Sequence, residues 1–159
     1  LKQSNLFCEI AESTYAYGVG KHRHAPEIEQ ELGLAAGQSM IVNFTPHLLP
    51  MTRGELVTSH VKMKSGVKAS DLRDALLKKY ENEPFVRVAP IGASPDTRWT
   101  KGTNNCVVQV FEDRIPGRAI VISAIDNLIK GSGGQAIQNF NVLFGLEETT
   151  GLAQPPLFP

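Results

Sequence analysis

The sequence predicts an α+β domain with a mixed, largely antiparallel sheet and helices packed on one face. Three observations carry this expectation. Two β-branched runs, Asn105–Phe111 and Arg118–Ile125, are joined by the turn-bearing EDRIPG, which suits an antiparallel hairpin. The predicted elements, about five strands and three helices, cluster along the chain and do not alternate as a doubly wound parallel sheet requires. No GxGxxG run follows a predicted strand, so the chain is expected to lack a dinucleotide-binding half of its own.

The elements follow in order. Pro26 opens a short helix over PEIEQELGL, with acidic residues in its first turn, Ile28 and Leu32 four apart, and Gly33 at its end. Ser39–Phe44 (SMIVNF) reads as a strand running into an ordered loop, TPHLLPMTRG, interrupted by Pro46, Pro50 and Gly54. From Glu55 to Lys64, Val57, Val61 and Met63 alternate with Thr58, His60, Lys62 and Lys64, as in a strand with one wet face. Ser70 is the expected N-cap of DLRDALLKKYEN, whose Leu72, Ala75, Leu76 and Leu77 form an apolar stripe ending at Lys78 and Lys79. Phe85–Val88 is a short strand, and Pro90–Asn104 is loop. Arg118–Ile125 is apolar on both faces, which predicts a central strand covered on each side. Gly131–Gly134 leads into a last helix, Gln135–Phe144, closed by Gly145.

The 159 residues, 42% hydrophobic and 20% charged, suit one globular domain of residues 1–159. Sixteen Lys and Arg balance sixteen Asp and Glu, without the basic excess that a phosphate backbone or an anionic membrane demands. Nucleic acid is therefore not an expected partner. No apolar run approaches the ~20 residues that span a bilayer, so no membrane crossing is expected either. Cys8 and Cys106 are too few for a disulfide framework and lack zinc-site spacing, which points to a reducing compartment. The opening LKQSNLFCEI has no initiator Met and no signal-peptide pattern, and reads as an internal cut in a longer polypeptide.

Three constellations carry chemistry. In YAYGVGKHRHAPEIEQ, His22 and His24 stand two apart in a glycine-bearing loop before a helix with Glu27 in its first turn. Histidines on such a loop can serve as general acid or base; equally, one packs the helix end and the other is exposed. A metal is not expected, because a third ligand from His47 or His60 has no recognisable spacing. In FTPHLLPMTRGE, Arg53 has the planar fork that clamps a carboxylate or phosphate, or pairs with Glu55 or another acid. In IDNLIKGSGGQAIQNFN, small residues leave backbone N–H groups free at a helix start beside Lys130, which attracts phosphate, unless the glycines serve close packing. Neither cysteine has the surroundings of a nucleophile.

Taken together, HRHAPEIEQEL, FTPHLLPMTRG, EDRIPGRAIVISAIDNLIKGSGGQAIQNFNVLFG and ETTGL resemble the catalytic and dimerisation portion of the N-acetyl-gamma-glutamyl-phosphate reductases, nearest their plant and cyanobacterial branch. The resemblance runs from Asn5 to Pro159. It implies a glyceraldehyde-3-phosphate-dehydrogenase-like C-terminal domain from a two-domain enzyme that reduces an acyl phosphate to a semialdehyde with NADPH in arginine biosynthesis. The family's nucleophilic cysteine, in a Gly-Cys-Tyr-Pro-Thr type motif, is absent here, so this fragment alone is expected to be inactive. The resemblance implies His22 and His24 as acid/base residues, with Tyr17, Glu27, His47 and Arg53 about the substrate. It further implies that Asn127, Lys130, Gly131, Gly133, Gly134 and Gln135 approach an NADP bound mainly by the missing half. Homo-oligomers through the sheet face, and a cytoplasmic or plastid-stroma location, follow from the same resemblance. Two alternatives stand beside it: an aminoadipyl-phosphate reductase of lysine biosynthesis, and a non-catalytic dimerisation module.

Overall fold

The computed structural model describes Gln3 and residues 6–157. The chain forms two compact units, Leu1–Thr52 and Arg53–Pro159. None of the described helices is long and apolar enough to cross a membrane.

The first unit contains α1 (Phe7–Ile10), β1 (Tyr15–Ala16), α2 (His24–Ala36) and β2 (His47–Leu48). β1 and β2 form a two-residue antiparallel ribbon, extended by the Tyr17 N–H donating to the Pro46 carbonyl at 3.1 Å. The strand expected over Ser39–Phe44 does not form. Its apolar residues find no neighbouring strand among the described residues; the Val42 N–H is satisfied by Glu29 Oε1 at 3.0 Å, and pairing starts later, at His47. α2 is also longer than expected. Pro26 sits at its third position, where an absent N–H leaves nothing unsatisfied. Gly33 is interior, because Leu34, Ala35 and Ala36 are good helix formers that carry the pattern onward. The stop is Gly37, in the left-handed region at φ +64°, whose N–H reaches the Gly33 and Leu34 carbonyls.

The second unit is built on a four-stranded sheet in the order β3 (Glu55–Lys62), β6 (Arg118–Ile125), β5 (Cys106–Glu112), β4 (Val86–Val88). β3–β6 and β6–β5 are antiparallel and β5–β4 parallel, so the sheet is mixed and largely antiparallel, as the sequence predicts. α3 (Ala69–Lys79) packs on β5 and β4, and α4 (Gly134–Leu143) closes the fold. Ser70 does not cap α3. Lys68 is the N-cap residue, and its N–H is held by Asp71 Oδ2 at 2.8 Å; a carboxylate in the third position satisfies the helix start and suits its positive end better than a hydroxyl.

Val107, Val108 and Val110 of β5 and Ala119 and Ala124 of β6 form the core with Phe85, Ala89 and Leu152. β6 is central in strand order, as expected, yet Ile120, Val121 and Ile122 are only half-buried. β3 is exposed along almost its whole length, with Leu56 at 53% and Val57 at 37%. Both faces of β3 are therefore wet, where one was expected. By register, Leu56, Ala124 and Val107 share one row of a single face, and Thr58, Ile122 and Gln109 the next. On that face Leu56 and Thr58 are exposed, Ile122 is half-buried and Ala124 is buried, so β3 is the part that the described residues leave uncovered.

Candidate functional site

Of the residues singled out in the first unit, the fold brings Tyr17, His22 and His24 together. The His22 ring makes edge contacts with Tyr17 at 5.3 Å, His24 at 4.7 Å and Phe44 at 5.3 Å between centroids. The β1–β2 ribbon sets this arrangement, because pairing the Tyr17 N–H to Pro46 draws Phe44 alongside. Gly18, at φ +59°, lies under the ring: a Cβ there would fall 2.8 Å from His22 Cδ2. The backbone N–H of His24, first residue of α2, donates to His22 Nδ1 at 3.2 Å. With Nδ1 accepting, the neutral imidazole carries its proton on Nε2. Glu27 lies exposed in the first turn of α2, and His47 exposed on β2 opposite Ala16. Phe44 escaped sequence reasoning, since it ended a run that reads as a strand.

In the second unit the centre is Asp126, another residue the sequence did not single out. It is fully buried. Its Oδ1 accepts the N–H groups of Leu128 at 2.8 Å and Ile129 at 3.0 Å; its Oδ2 accepts the Gly102 N–H at 2.7 Å and Arg53 Nη1 at 3.4 Å. Burial alone would raise this carboxyl, but the three backbone donors and Arg53 outweigh it and hold Asp126 below the usual carboxylate range. Arg53 thus pairs with a buried acid distant in sequence and not with Glu55. Beside it, the Gly54 N–H donates to Asn127 Oδ1 at 2.8 Å. The signal available in the sequence was the Asp-Asn pair directly before Leu128, which has the form of a helix start.

The glycine segment differs from expectation. Ile129–Gly133 is a π-helical turn running straight into α4, with the N–H groups of Gly131, Gly133 and Gly134 donating to the carbonyls of Asp126, Leu128 and Ile129. The amides expected to be free are therefore engaged, and the helix start lies upstream, at Asp126. Gly134 serves close packing: a Cβ would fall 2.5 Å from Asn104 Oδ1 and 2.6 Å from Ile129 Cγ2. Gln135 Nε2 bonds along the helix to Asn139.

Lys130 points inward. Its Nζ donates to Gln138 Oε1 at 2.7 Å and lies 5.6 Å from the Phe85 ring centroid. Gln138 Oε1 also accepts from Asn104 Nδ2, and Gln138 Nε2 donates to Glu148. Burial pushes the Lys130 ammonium below its ordinary value, against the pull of Cys106, Glu148 and Glu83. Burial likewise pushes the Cys106 thiol up, with Lys130 opposing, so Cys106 is a poor nucleophile. α4 consequently has a reversed polarity. Its inner face carries Gly134, Gln138 and Asn141, while Ile137, Phe140 and Phe144 face outward, Phe140 53% and Phe144 63% exposed. A cleft of about 620 Å³ opens elsewhere in this unit, lined by Phe85, Arg87, Trp99, Val107, Leu152 and Pro155 among others, and none of the predicted site residues lines it.

The family model described as semialdehyde dehydrogenase, dimerisation domain, matches residues 1–127. An N-acetyl-gamma-glutamyl-phosphate reductase of Rhodospirillum rubrum is 53% identical over 158 residues, which is 99% of this chain and 45% of that protein. A probable chloroplastic N-acetyl-gamma-glutamyl-phosphate reductase of Arabidopsis thaliana is 53% identical over 158 residues, 99% of this chain and 39% of its own length. The chain spans less than half the length of these curated relatives. Among solved structures, aspartate semialdehyde dehydrogenase II from Vibrio cholerae matches with a TM-score of 0.67 at 20% identity, over 86% of this chain and 42% of that one. A probable aspartate-semialdehyde dehydrogenase from Pseudomonas aeruginosa gives 0.66 at 17%, over 85% and 42%. At these identities the structures speak to the fold alone, and they bear out the predicted α+β class. With the family model covering most of its length, the chain belongs to the semialdehyde dehydrogenase dimerisation-domain family.

Proposed function

We propose that this chain is the catalytic and dimerisation half of an NADPH-dependent N-acetyl-gamma-glutamyl-phosphate reductase. The observation that carries the reading is identity above one half, over 99% of the chain, to proteins bearing that name. In this reading a cysteine thiolate outside the chain displaces phosphate from the acyl phosphate, giving a thioester. NADPH, when bound, supplies the hydride that reduces the thioester to the aldehyde and releases the thiolate. His22 donates a hydrogen bond from Nε2 to the carbonyl oxygen as charge develops on it, a role supported by the amide that occupies Nδ1. Tyr17, His24 and Phe44 hold the ring in place, while Glu27 and His47 lie toward the substrate. Arg53 takes a carboxylate or phosphate oxygen of the substrate.

Most contacts to NADP come from the other half. The amides of Gly131, Gly133 and Gly134 are taken up in i→i+5 bonds and do not fit the part of phosphate ligands, whereas Lys130 gives one of its three donors to Gln138 and keeps two. Asn127, Gly131, Gly133, Gly134 and Gln135 contribute packing at most. The decisive assay is the phosphate-dependent, NADP-linked oxidation of N-acetylglutamate semialdehyde by this chain alone and beside a separately expressed cofactor half. Activity is expected only in the mixture. Silence from two folded, associated halves would favour a non-catalytic dimerisation module, and activity with the aminoadipate semialdehyde alone would move the substrate.

The exposed β3 strand, with Leu56 and Val57 open to solvent, supports a homo-oligomer. Sedimentation of the chain is expected to show a mass rising with concentration toward two chains; a constant monomer mass would end this reading. The compartment is the cytoplasm, or the plastid stroma in a plant.

A further inference from the structure

We propose that Asp126 is a positioning residue, whose carboxylate divides its two oxygens between starting the Leu128–Ile129 turn and holding Arg53 in a fixed orientation. The inference rests on the reading of Arg53 as the partner of the substrate's anionic oxygens. A residue needed only to start a helix uses one acceptor, and Ser or Asn does that nearly as well as Asp. Here Oδ1 alone performs that task, through Leu128 and Ile129. Oδ2 has a separate one, since it joins Gly102 and Arg53, neither of which belongs to the helix. The next residue repeats the arrangement, because Asn127 Oδ1 holds the Gly54 N–H. Two consecutive side chains thus clasp two consecutive residues of a distant segment.

The Arg53 side chain is 34% exposed and its partner 0%. Among the described residues Arg53 is bonded through Nη1 only. A guanidinium tethered at Nη1 to a buried acid keeps its remaining N–H donors available as a fork for a carboxylate or a phosphate. Fixing that fork before the substrate arrives lowers the ordering cost of binding, so the effect belongs in KM and not in the chemical step.

Asp126→Ser and the volume-preserving Asp126→Asn both retain an acceptor for Leu128 and Ile129 while removing the charged Oδ2. In this chain alone, NMR is expected to show an ordered Arg53 Nε–H that becomes mobile in both variants, with Leu128 and Ile129 amides still protected from exchange. Arg53 staying ordered, or protection at Leu128 and Ile129 vanishing in both variants, overturns the proposal. In the polypeptide that includes the cofactor half, the same variants are expected to raise KM for the acyl phosphate about tenfold with kcat within about twofold. In an Arg53→Ala background the Asp126 effect disappears. An unchanged KM, or an equal effect without Arg53, sinks the inference. A wild-type polypeptide that reduces no acyl phosphate overturns the functional reading instead, and the NMR comparison then decides Asp126 by itself.

Discussion

Replacing His22 by Asn in the polypeptide that carries both halves is expected to lower kcat about 10²–10³-fold, the usual cost of losing one donor to a developing oxyanion. Asn keeps the part of the ring that matters for folding: its Oδ1 can still accept the His24 N–H that now reaches Nδ1 at 3.2 Å. It stops short of Nε2, so the donor is deleted while the loop remains in place. Gln, whose amide nitrogen reaches further, is expected to recover about tenfold of the loss. His24→Asn is expected to stay within about tenfold of wild type, because it removes the ring-edge contact with His22 but leaves intact the backbone N–H that occupies Nδ1. Steady-state kcat for the four proteins, with melting temperatures as a control, checks the assignment. A His22→Asn enzyme at full speed would remove His22 from the chemistry.

Asp126→Ala is expected to cost about 3–5 kcal/mol of stability near neutral pH, enough to threaten a domain whose total is about 5–15 kcal/mol. The substitution strands the Gly102, Leu128 and Ile129 N–H groups and leaves Arg53 without its partner. Its pH dependence has a definite sign. Asp126 is held below its ordinary value of 3.8 in the folded chain, so the stability it contributes is fully present above about pH 4 and is lost as pH falls through the lower folded value. The gap between wild type and Asp126→Ala in urea unfolding is therefore expected to be wide at about pH 7 and to narrow by about pH 3. A gap that does not change between the two would show that the lost side chain acted by shape and not by charge.

What the sequence disclosed, and what it withheld, divides along a physical line. The β5–β6 hairpin was legible because β-branched residues and a turn act locally, and α3 because its apolar stripe repeats with the helical period. Ser39–Phe44 reads as a strand and forms none for the opposite reason: a β-prone run becomes a strand only where a neighbour offers a ladder, and that is a tertiary condition. In the candidate site, the histidine loop was visible as a local cluster of titratable residues. Asp126 was not, since its importance comes from Arg53 and Gly102, which lie 73 and 24 residues away. Lys130 reads with the glycines by proximity in sequence, whereas its partner Gln138 lies two helical turns on.

The reversed polarity of α4 bears on how the fold responds to temperature. Exposing apolar surface raises the heat capacity of unfolding and exposing polar surface lowers it, so an element's share depends on which kind of surface it hides. α4 turns Gln138 and Asn141 toward its own unit and keeps Phe140 and Phe144 in solvent. Detaching it therefore changes heat capacity little, in contrast to opening the β5–β6 core with its valines and alanines. Cooling weakens the valine core first, while the helix, fastened by hydrogen bonds, keeps nearly the same grip from cold to warm.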